Sequence, residues 1–182
     1  MEIRKTKIED LERILQIYED ARAFMRENGN PTQWGETEPK PQRIRQDIAD
    51  GDSYVCVDGG KVVGVFFFKV MEETNYAIIY DGAWKDDGSA YGVIHRIAAD
   101  RIRHGVASFC IGWAFVQSGG HLRIDTHENN TVMQRVLKKN GFQYCGNIFV
   151  QDGTKRFAYE LTQEMLSENE ESEGSEGEEK KH

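Results

Sequence analysis

Residues 93–115, VIHRIAADRIRHGVASFCIGWAF, decide the fold of this chain. The segment opens with a mainly apolar run at residues 93–99, passes through the charged residues 100–104 and turns at Gly105. Apolar residues then recur at helical spacing, so the pattern predicts a strand, a loop and a helix. The first amides of a helix lack intrahelical partners, and the helix dipole is positive at that end. The turn at Gly105 is therefore predicted to bind an anion.

The composition indicates a single domain with a substantial core. The chain has 182 residues, of which 38% are hydrophobic and 10% aromatic. Its longest purely apolar stretch, residues 62–68, is far shorter than the roughly 18 residues that span a bilayer. The N-terminal residues also lack the apolar stretch of a secretory signal. We therefore expect no membrane association.

The three cysteines, Cys56, Cys110 and Cys145, are widely spaced and odd in number. This usage predicts free thiols in a reducing cytoplasm and argues against a disulfide framework. It also argues against a zinc site, and we expect no metal cofactor.

The net charge of -8 is concentrated at the C-terminus. Residues 167–182 contain seven Glu and two Lys, which leaves about -3 for residues 1–166. No basic surface is indicated, so we expect no nucleic-acid partner. The chain therefore divides into one domain at residues 1–166 and an acidic tail at residues 167–182. The tail has no aliphatic or aromatic side chain and is predicted to be disordered. A solvated terminus is favoured over an acidic recruitment segment.

Hydrophobic periodicity and turn signals give the order β-α-α-β-β-β-α-β-α-β-β. Thr6 and Glu9 form a capping-box pattern for the first helix. The predicted elements are a strand at residues 2–6, a helix at 7–27, a loop at 31–36, a shorter helix from Pro41, strands at 53–58 and 61–71, a strand-like run at 76–80, the strand and helix of the opening segment, a strand at 122–126, a helix capped by Asn130 and closed by Gly141, and a hairpin of 142–150 with 155–161.

Two segments and this element order resemble the GNAT superfamily of N-acetyltransferases. Residues 102–107, IRHGVA, align with the family's acetyl-CoA-binding pattern Gln/Arg-x-x-Gly-x-Gly/Ala, although Ile102 departs from its first position. Residues 130–142, NTVMQRVLKKNGF, resemble the segment Asn-x-x-Ala…Tyr-Glu-Lys-Leu-Gly-Phe. The resemblance covers roughly residues 1–162. It implies an α/β fold with a mixed central sheet flanked by helices and with splayed parallel strands at the cofactor site.

The resemblance also implies where acetyl-CoA binds. Backbone groups of Ile97 and Ala99 would pair with the pantetheine arm, and an amide near Ile97 would bind the thioester oxygen. Asn130 matches an asparagine that contacts the pantetheine arm in the family, and a helix cap is an equally good interpretation of it. The pyrophosphate would rest on the backbone amides of Arg103, His104, Gly105, Val106 and Ala107.

His95 is the candidate general base. The aralkylamine acetyltransferases of the superfamily have a catalytic histidine at the matching place, and period-two alternation predicts that His95 and Ile97 share one side of the strand. A packed, hydrogen-bonded histidine is the alternative interpretation. His121 and His127, beside the next strand, are weaker candidates.

The general acid is where the sequence departs from the family, because Leu137 aligns with the usual tyrosine and cannot donate a proton. Tyr144, Tyr91 and Cys145 are candidates to replace it, or the thiolate leaves unassisted. The acceptor pocket is predicted to contain aromatic and acidic residues that could enclose a cationic amine, or that could equally form a structural cluster. These residues are Trp34, Glu36, Tyr80, Asp81 and Trp84.

These observations favour an enzyme that moves the acetyl group of acetyl-CoA to a primary amine of a small molecule by direct attack. A protein or peptide N-acetyltransferase is one alternative. A coenzyme A-binding module without catalysis is another, suggested by Leu137 and Ile102. The sequence leaves the oligomeric state open, including a homodimer.

Overall fold

The protein is represented by a computed structural model, which describes residues 1–167. Apart from Ser167, the predicted disordered tail lies outside the described residues. The main elements are β1 (Glu2–Lys5), α1 (Leu11–Glu27), α2 (Pro41–Ala49), β2 (Ser53–Asp58), β3 (Lys61–Val70), β4 (Gly92–Ala99), α3 (Val106–Gln117), β5 (His121–Thr126), α4 (Thr131–Lys139), β6 (Gln143–Phe149) and β7 (Lys155–Thr162). They form one seven-stranded sheet in the order β1-β2-β3-β4-β5-β7-β6. This confirms the predicted element order and the mixed sheet flanked by helices.

The sheet is covered by apolar clusters on both faces. On one face, α1 and α2 pack residues such as Ile14 and Ile44 against Val65 of β3. On the other, Trp113 of α3 packs against Phe66 and Phe68 of the same strand, and α4 contributes Leu137 to this cluster. Since successive strand residues point to opposite faces, a strand buried on both sides reads as a continuous apolar run. The cysteines predicted to be free thiols are free and buried.

The strand-like run at residues 76–80 was predicted wrongly. Residues Thr74–Tyr76 form a 3-10 turn, in which the Glu73 carboxylate accepts the amide of Asn75 at 3.2 Å. Of the run, Tyr80 makes only an isolated bridge to Asn147. The ring of Tyr76 is 2% exposed, and its burial in a tertiary contact outweighs the strand preference of its neighbours.

The predicted capping box of the first helix was also wrong. The hydroxyl of Thr6 instead lies 2.7 Å from that of Ser53 on β2. The entry to α1 is a 3-10 turn, where the amide of Lys7 donates to Asp10 Oδ2 at 2.8 Å. Asp10 is fixed from the other side by Arg4 at 2.7 Å.

The parallel strands β4 and β5 separate soon after they meet. They pair only at Gly92 with Leu122 and at Val93 with Arg123. Beyond that point β4 stays on β3 as far as Ala99, whereas β5 stays on β7. The predicted splay is therefore present, and it opens a wedge into the sheet between the two strands. None of the helices within residues 1–167 is long and apolar enough to cross a membrane.

Candidate active site

A cavity of about 590 Å³ lies where the two strands part. Its walls come from β4 and β5, from the connection between α1 and α2, from the start of α4 and from the turn after β6. His95, Ile97, Asn130 and Trp34 all contribute to these walls, so the structure brings these four predicted site residues together. The wedge thus collects residues from distant parts of the chain around the exposed edge of β4.

His95 lies between two carboxylates at the wedge. Its Nε2 is 2.9 Å from Glu73 Oε2, and its Nδ1 is 3.8 Å from Asp125 Oδ1. The same Asp125 oxygen accepts the hydroxyl of Tyr76 at 2.7 Å. The side chain of His95 is 20% exposed, so it is held in place and still reaches the cavity. These partners make His95 part of an ordered polar network.

The electrostatics of the network favour ionised Glu73 and a protonated phenol. The hydrogen bond from His95 lowers the pKa of Glu73, and this outweighs the opposing effect of burial. Burial, with the charge of Asp125 as a second cause, raises the pKa of Tyr76 well above its usual value. Tyr76 therefore acts as a hydrogen-bond donor that fixes the Asp125 carboxylate.

Glu73 and Asp125 were not predicted from the sequence as site residues. Asp125 had a detectable signal, because it lies in the predicted strand 122–126, which enters the wedge beside the strand of His95. Glu73 had none, since the connection between β3 and β4 has no periodic pattern.

A β-bulge interrupts β4 directly after His95. Val65 of β3 pairs with Ala98, but Phe67 pairs with His95, so β4 has one extra residue in this interval. Arg96, inside it, has a φ of 53°. The premise of uninterrupted alternation between His95 and Ile97 was therefore wrong, although both residues line the cavity.

The backbone of β4 after the bulge faces the wedge at alternate residues. The amide of Asp100 donates to the carbonyl of Val63 on β3 at 2.8 Å. Backbone polar groups in a strand alternate in direction, so those of Ala99 and Ile97 point to the side that β5 has left. Of these two residues, Ile97 lines the cavity.

The loop before α3 has open space at Gly105. Gly105 has a φ of 83°, and a side chain there would meet no atom within 4 Å. The carboxylate of Asp100 accepts the amides of Ile102 and Arg103 at 3.2 and 3.3 Å. The amide of Arg103 is thus engaged within the loop, which leaves the amides from His104 to Ala107 as the ones that an anion could meet.

Asn130 both caps a helix and bridges two parts of the cavity wall. Its Oδ1 accepts the amide of Met133 at 3.1 Å, which confirms the predicted cap of α4. Its Nδ2 donates to Gln33 Oε1 at 2.9 Å. Gln33 and its neighbour Trp34 belong to the connection between α1 and α2, so this bond ties that connection to α4.

Three of the predicted acceptor-pocket residues lie away from this cavity. Tyr80 bridges to Asn147 on β6, and Asp81 accepts the Asn147 side chain at 2.9 Å. Trp84 is 8% exposed, and the guanidinium carbon of Arg123 lies 4.1 Å from its ring centroid. These contacts match the structural-cluster interpretation, and Glu36 does not line the cavity either.

The weaker candidates for acid–base chemistry are also outside the cavity wall. Leu137 is fully buried in the core, as expected for an apolar residue. Burial raises the pKa of Cys145 to about 11, and burial with the charge of Arg156 lowers the pKa of His127. His121 is buried against Glu160, with 2.8 Å between Nε2 and Oε1.

The two tyrosine candidates have structural partners as well. The hydroxyl of Tyr91 accepts the amide of Glu73 at 3.1 Å. The hydroxyl of Tyr144 donates to Asn147 Oδ1 at 3.0 Å on the far strand of the sheet. The cavity wall therefore contains none of the three candidates for a replacement acid.

The family model and the similar solved structures all describe acetyltransferases of one family. Residues 1–143 match the family described as "Acetyltransferase (GNAT) domain". A GNAT-family acetyltransferase structure from Streptococcus agalactiae is 30% identical, with a TM-score of 0.76 over 89% of this chain and 95% of that one. A GNAT-family acetyltransferase from Listeria monocytogenes is 20% identical, with a TM-score of 0.61 over 88% of this chain and 94% of that one.

A more distant structure shares the fold and contains a ligand. It is a GNAT-superfamily phosphinothricin acetyltransferase from Sinorhizobium meliloti in complex with AcCoA, 13% identical, with a TM-score of 0.55 over 88% of each chain. No curated protein is significantly similar to the sequence.

Proposed function

The chain belongs to the GNAT family of acetyltransferases, and from this we propose that it transfers the acetyl group of acetyl-CoA to a primary amine of a small molecule. The observation that carries the proposal is the position of His95. It combines a carboxylate partner with access to the cavity between the splayed strands. This is the arrangement that a general base requires.

The residues present fit acetyl-CoA, which supplies the activated acetyl group. The pantetheine arm needs a free strand edge, and the polar groups of Ile97 and Ala99 face the wedge. The pyrophosphate needs to approach the backbone closely, and no atom lies within 4 Å of the point where a side chain on Gly105 would begin. Asn130 retains one amide hydrogen beyond its bond to Gln33, which supports the proposed contact with the pantetheine arm.

His95 is proposed to accept the proton of the attacking amine at Nδ1. The bond between Nε2 and the ionised Glu73 holds the hydrogen on Nε2 and leaves the lone pair on Nδ1. Asp125, 3.8 Å from Nδ1, would stabilise the imidazolium that forms. The amine nitrogen bonds to the acetyl carbon, the carbon–sulfur bond breaks, and the sulfur leaves as the thiolate. An amide near Ile97 would donate to the carbonyl oxygen as its charge increases.

A small amine is favoured as the acceptor because the connection between α1 and α2 is tied across the site. The bond from Asn130 to Gln33 anchors this connection to α4, and Trp34 adds an aromatic surface to the wall. The wall also contains Glu38 and Asp152, carboxylates that could pair with a cationic substrate. A tied connection is expected to suit a compact acceptor better than a long peptide.

Calorimetric titration with acetyl-CoA, followed by a thiol-release assay, tests this proposal. The acceptor panel contains polyamines, aminoglycosides, arylalkylamines, amino acids and peptides. We expect binding, and thiol release that depends on a small amine. Release with peptides alone would replace the small-molecule assignment. Binding without release from any acceptor would instead support a coenzyme A-binding module.

A further inference from the structure

Arg96 occupies a position where a bulge of this kind normally has glycine. Arg96 and Ile97 together lie opposite Phe66, because the pairs on either side are Val65 with Ala98 and Phe67 with His95. The φ of Arg96 is 53°, which a side chain makes unfavourable. Such a conformation persists only when its surroundings over-determine it. The contacts of Arg96 should therefore explain why an arginine is tolerated here.

Two helices hold Arg96 from the α1 and α2 side of the sheet. Asp47 Oδ2, on α2, lies 3.0 Å from Arg96 Nε and 2.8 Å from Nη2. The hydroxyl of Tyr18, on α1, donates to the carbonyl of Arg96 at 2.8 Å. Asp47 and Tyr18 are only 4% and 1% exposed. The guanidinium carbon also lies 4.7 Å from the ring centroid of Phe67. Both the side chain and the backbone of Arg96 are thus fixed.

The bulge decides which backbone groups of β4 face the wedge. An extra residue shifts the alternation of a strand by one position. After the shift, the amide of Asp100 bonds to Val63 on β3. Alternation counted back from Asp100 then directs the polar groups of Ala99 and Ile97 to the side that β5 has left. Loss of the bulge would turn the amide near the thioester away from the cavity or displace it.

We propose that Asp47 and Tyr18 are positioning residues that hold Arg96 in the bulge and thereby aim the Ile97 amide at the thioester oxygen. This inference rests on the proposed function. Neither residue needs to touch acetyl-CoA, since both act through Arg96.

Paired substitutions at Arg96 test the positioning role. Arg96→Ala removes the side-chain contacts and leaves the unfavourable φ, whereas Arg96→Gly removes the same contacts but tolerates that φ. We expect Arg96→Ala to lower kcat about 100-fold, as for a misplaced oxyanion donor. Arg96→Gly should recover most of this loss, with the KM for the amine little changed in both. Equal impairment of the two variants would overturn the proposal.

The affinity of acetyl-CoA relative to coenzyme A tests the same geometry without turnover. Both ligands are titrated by calorimetry, and their ratio isolates contacts with the acetyl group. We expect the ratio to fall about three- to tenfold in Arg96→Ala and Asp47→Asn, as for the loss of one hydrogen bond. It should fall less in Tyr18→Phe. An unchanged ratio in all three variants would overturn the proposal.

Asp50→Asn is the matched control, because Asp50 is exposed at the end of the same helix. Introducing Asp47→Asn into the Arg96→Gly protein should cause little further loss, since the contact is already absent. A further full loss there would show that Asp47 acts independently of Arg96. If the wild type binds acetyl-CoA but acetylates no amine, the proposed function fails while the affinity ratio still tests the bulge. Absence of binding would overturn both.

Discussion

Two histidine–glutamate pairs lie on either side of the point where β4 and β5 part. The distance from His95 Nε2 to Glu73 is 2.9 Å, and that from His121 Nε2 to Glu160 is 2.8 Å. Their surroundings differ, since the side chains of the first pair are 20% and 13% exposed and those of the second 7% and 0%. The first pair faces the wedge, and the second lies beside the strands where they are still paired.

The buried pair belongs to a larger polar cluster. Glu160 also accepts Arg123 Nε at 3.0 Å and the amide of Lys85. The guanidinium carbon of Arg123 lies 4.1 Å from the ring centroids of both Trp84 and Tyr91. Burial raises the pKa of Glu160, but the hydrogen bonds from His121, Lys85 and Arg123 outweigh it, so the pKa lies below its ordinary value.

We infer from this comparison that the role of a histidine–glutamate pair depends on whether the neighbouring strands are paired. Beside paired strands it is structural, and beside separated strands it can meet a ligand. Arg123 of β5 pairs with Val93 of β4, and the two strands are still adjacent at this position. His95 is two residues beyond Val93, after the pairing has ended. The same imidazole–carboxylate contact is therefore expected to support stability in one place and chemistry in the other.

Exchanging the two histidines for alanine should give opposite results, and this is the largest expected effect. His95→Ala should lower kcat about 10²- to 10⁴-fold, the usual contribution of a general base. Its acetyl-CoA affinity and thermal unfolding should stay near those of the wild type. His121→Ala should instead lower the unfolding temperature, with kcat of the folded protein retained. Wild-type turnover in His95→Ala would remove its assignment as the base.

Glu160→Gln should destabilise the protein by about 3–5 kcal/mol, because it removes the only buried carboxylate that pairs with Arg123 among the described residues. The other carboxylate near Arg123, that of Asp87, lies 3.4 Å from Nη2 and is 81% exposed. Urea denaturation at neutral pH measures the free energy of unfolding. Glu164→Gln is the control, since Glu164 is exposed and close in sequence. A loss no larger than that of the control would mean that the cluster contributes little to stability.

The stability difference between the wild type and Glu160→Gln should depend on pH. The pKa of Glu160 is lower in the folded protein than its usual 4.5, so its contribution is complete above that pH. As pH falls from about 4.5 through the folded pKa, the carboxylate is protonated and the contribution is lost. Denaturation curves of both proteins from pH 7 downwards should therefore converge. A difference that stays constant to the lowest measurable pH would contradict this assignment.

Much of the fold could be predicted from sequence because local signals coincide with the final structure. The turn at Gly105, the cap at Asn130 and the double-faced apolar strand at residues 61–71 each leave a local pattern. The splay of the parallel strands followed from the family resemblance. His95 was proposed as the base on the same ground, since it lies on the strand that the resemblance marks.

The remaining features depend on contacts between distant residues. Glu73 reaches His95 across 22 positions of sequence, from a connection without periodicity. Trp84, which was predicted for the acceptor pocket, does not line the cavity and packs against the guanidinium of Arg123. The bulge at Arg96 has no sequence signal, since its positive φ is imposed by Asp47 and Tyr18 from two separate helices.

The smallest effect is expected for Glu73→Gln, which makes in the first pair the same chemical change that Glu160→Gln makes in the second. Glu73→Gln keeps an acceptor for His95 Nε2 but removes the charge, and charge-assisted hydrogen bonds are about twice as strong as neutral ones. We expect kcat to fall about three- to tenfold, because the imidazolium is less stabilised, while stability changes far less than in Glu160→Gln. Steady-state kinetics and urea denaturation of the two variants measure both quantities. If Glu73→Gln lost stability without losing kcat, the His95–Glu73 pair would be structural, like the His121–Glu160 pair. The general base would then have to be another residue of the wedge.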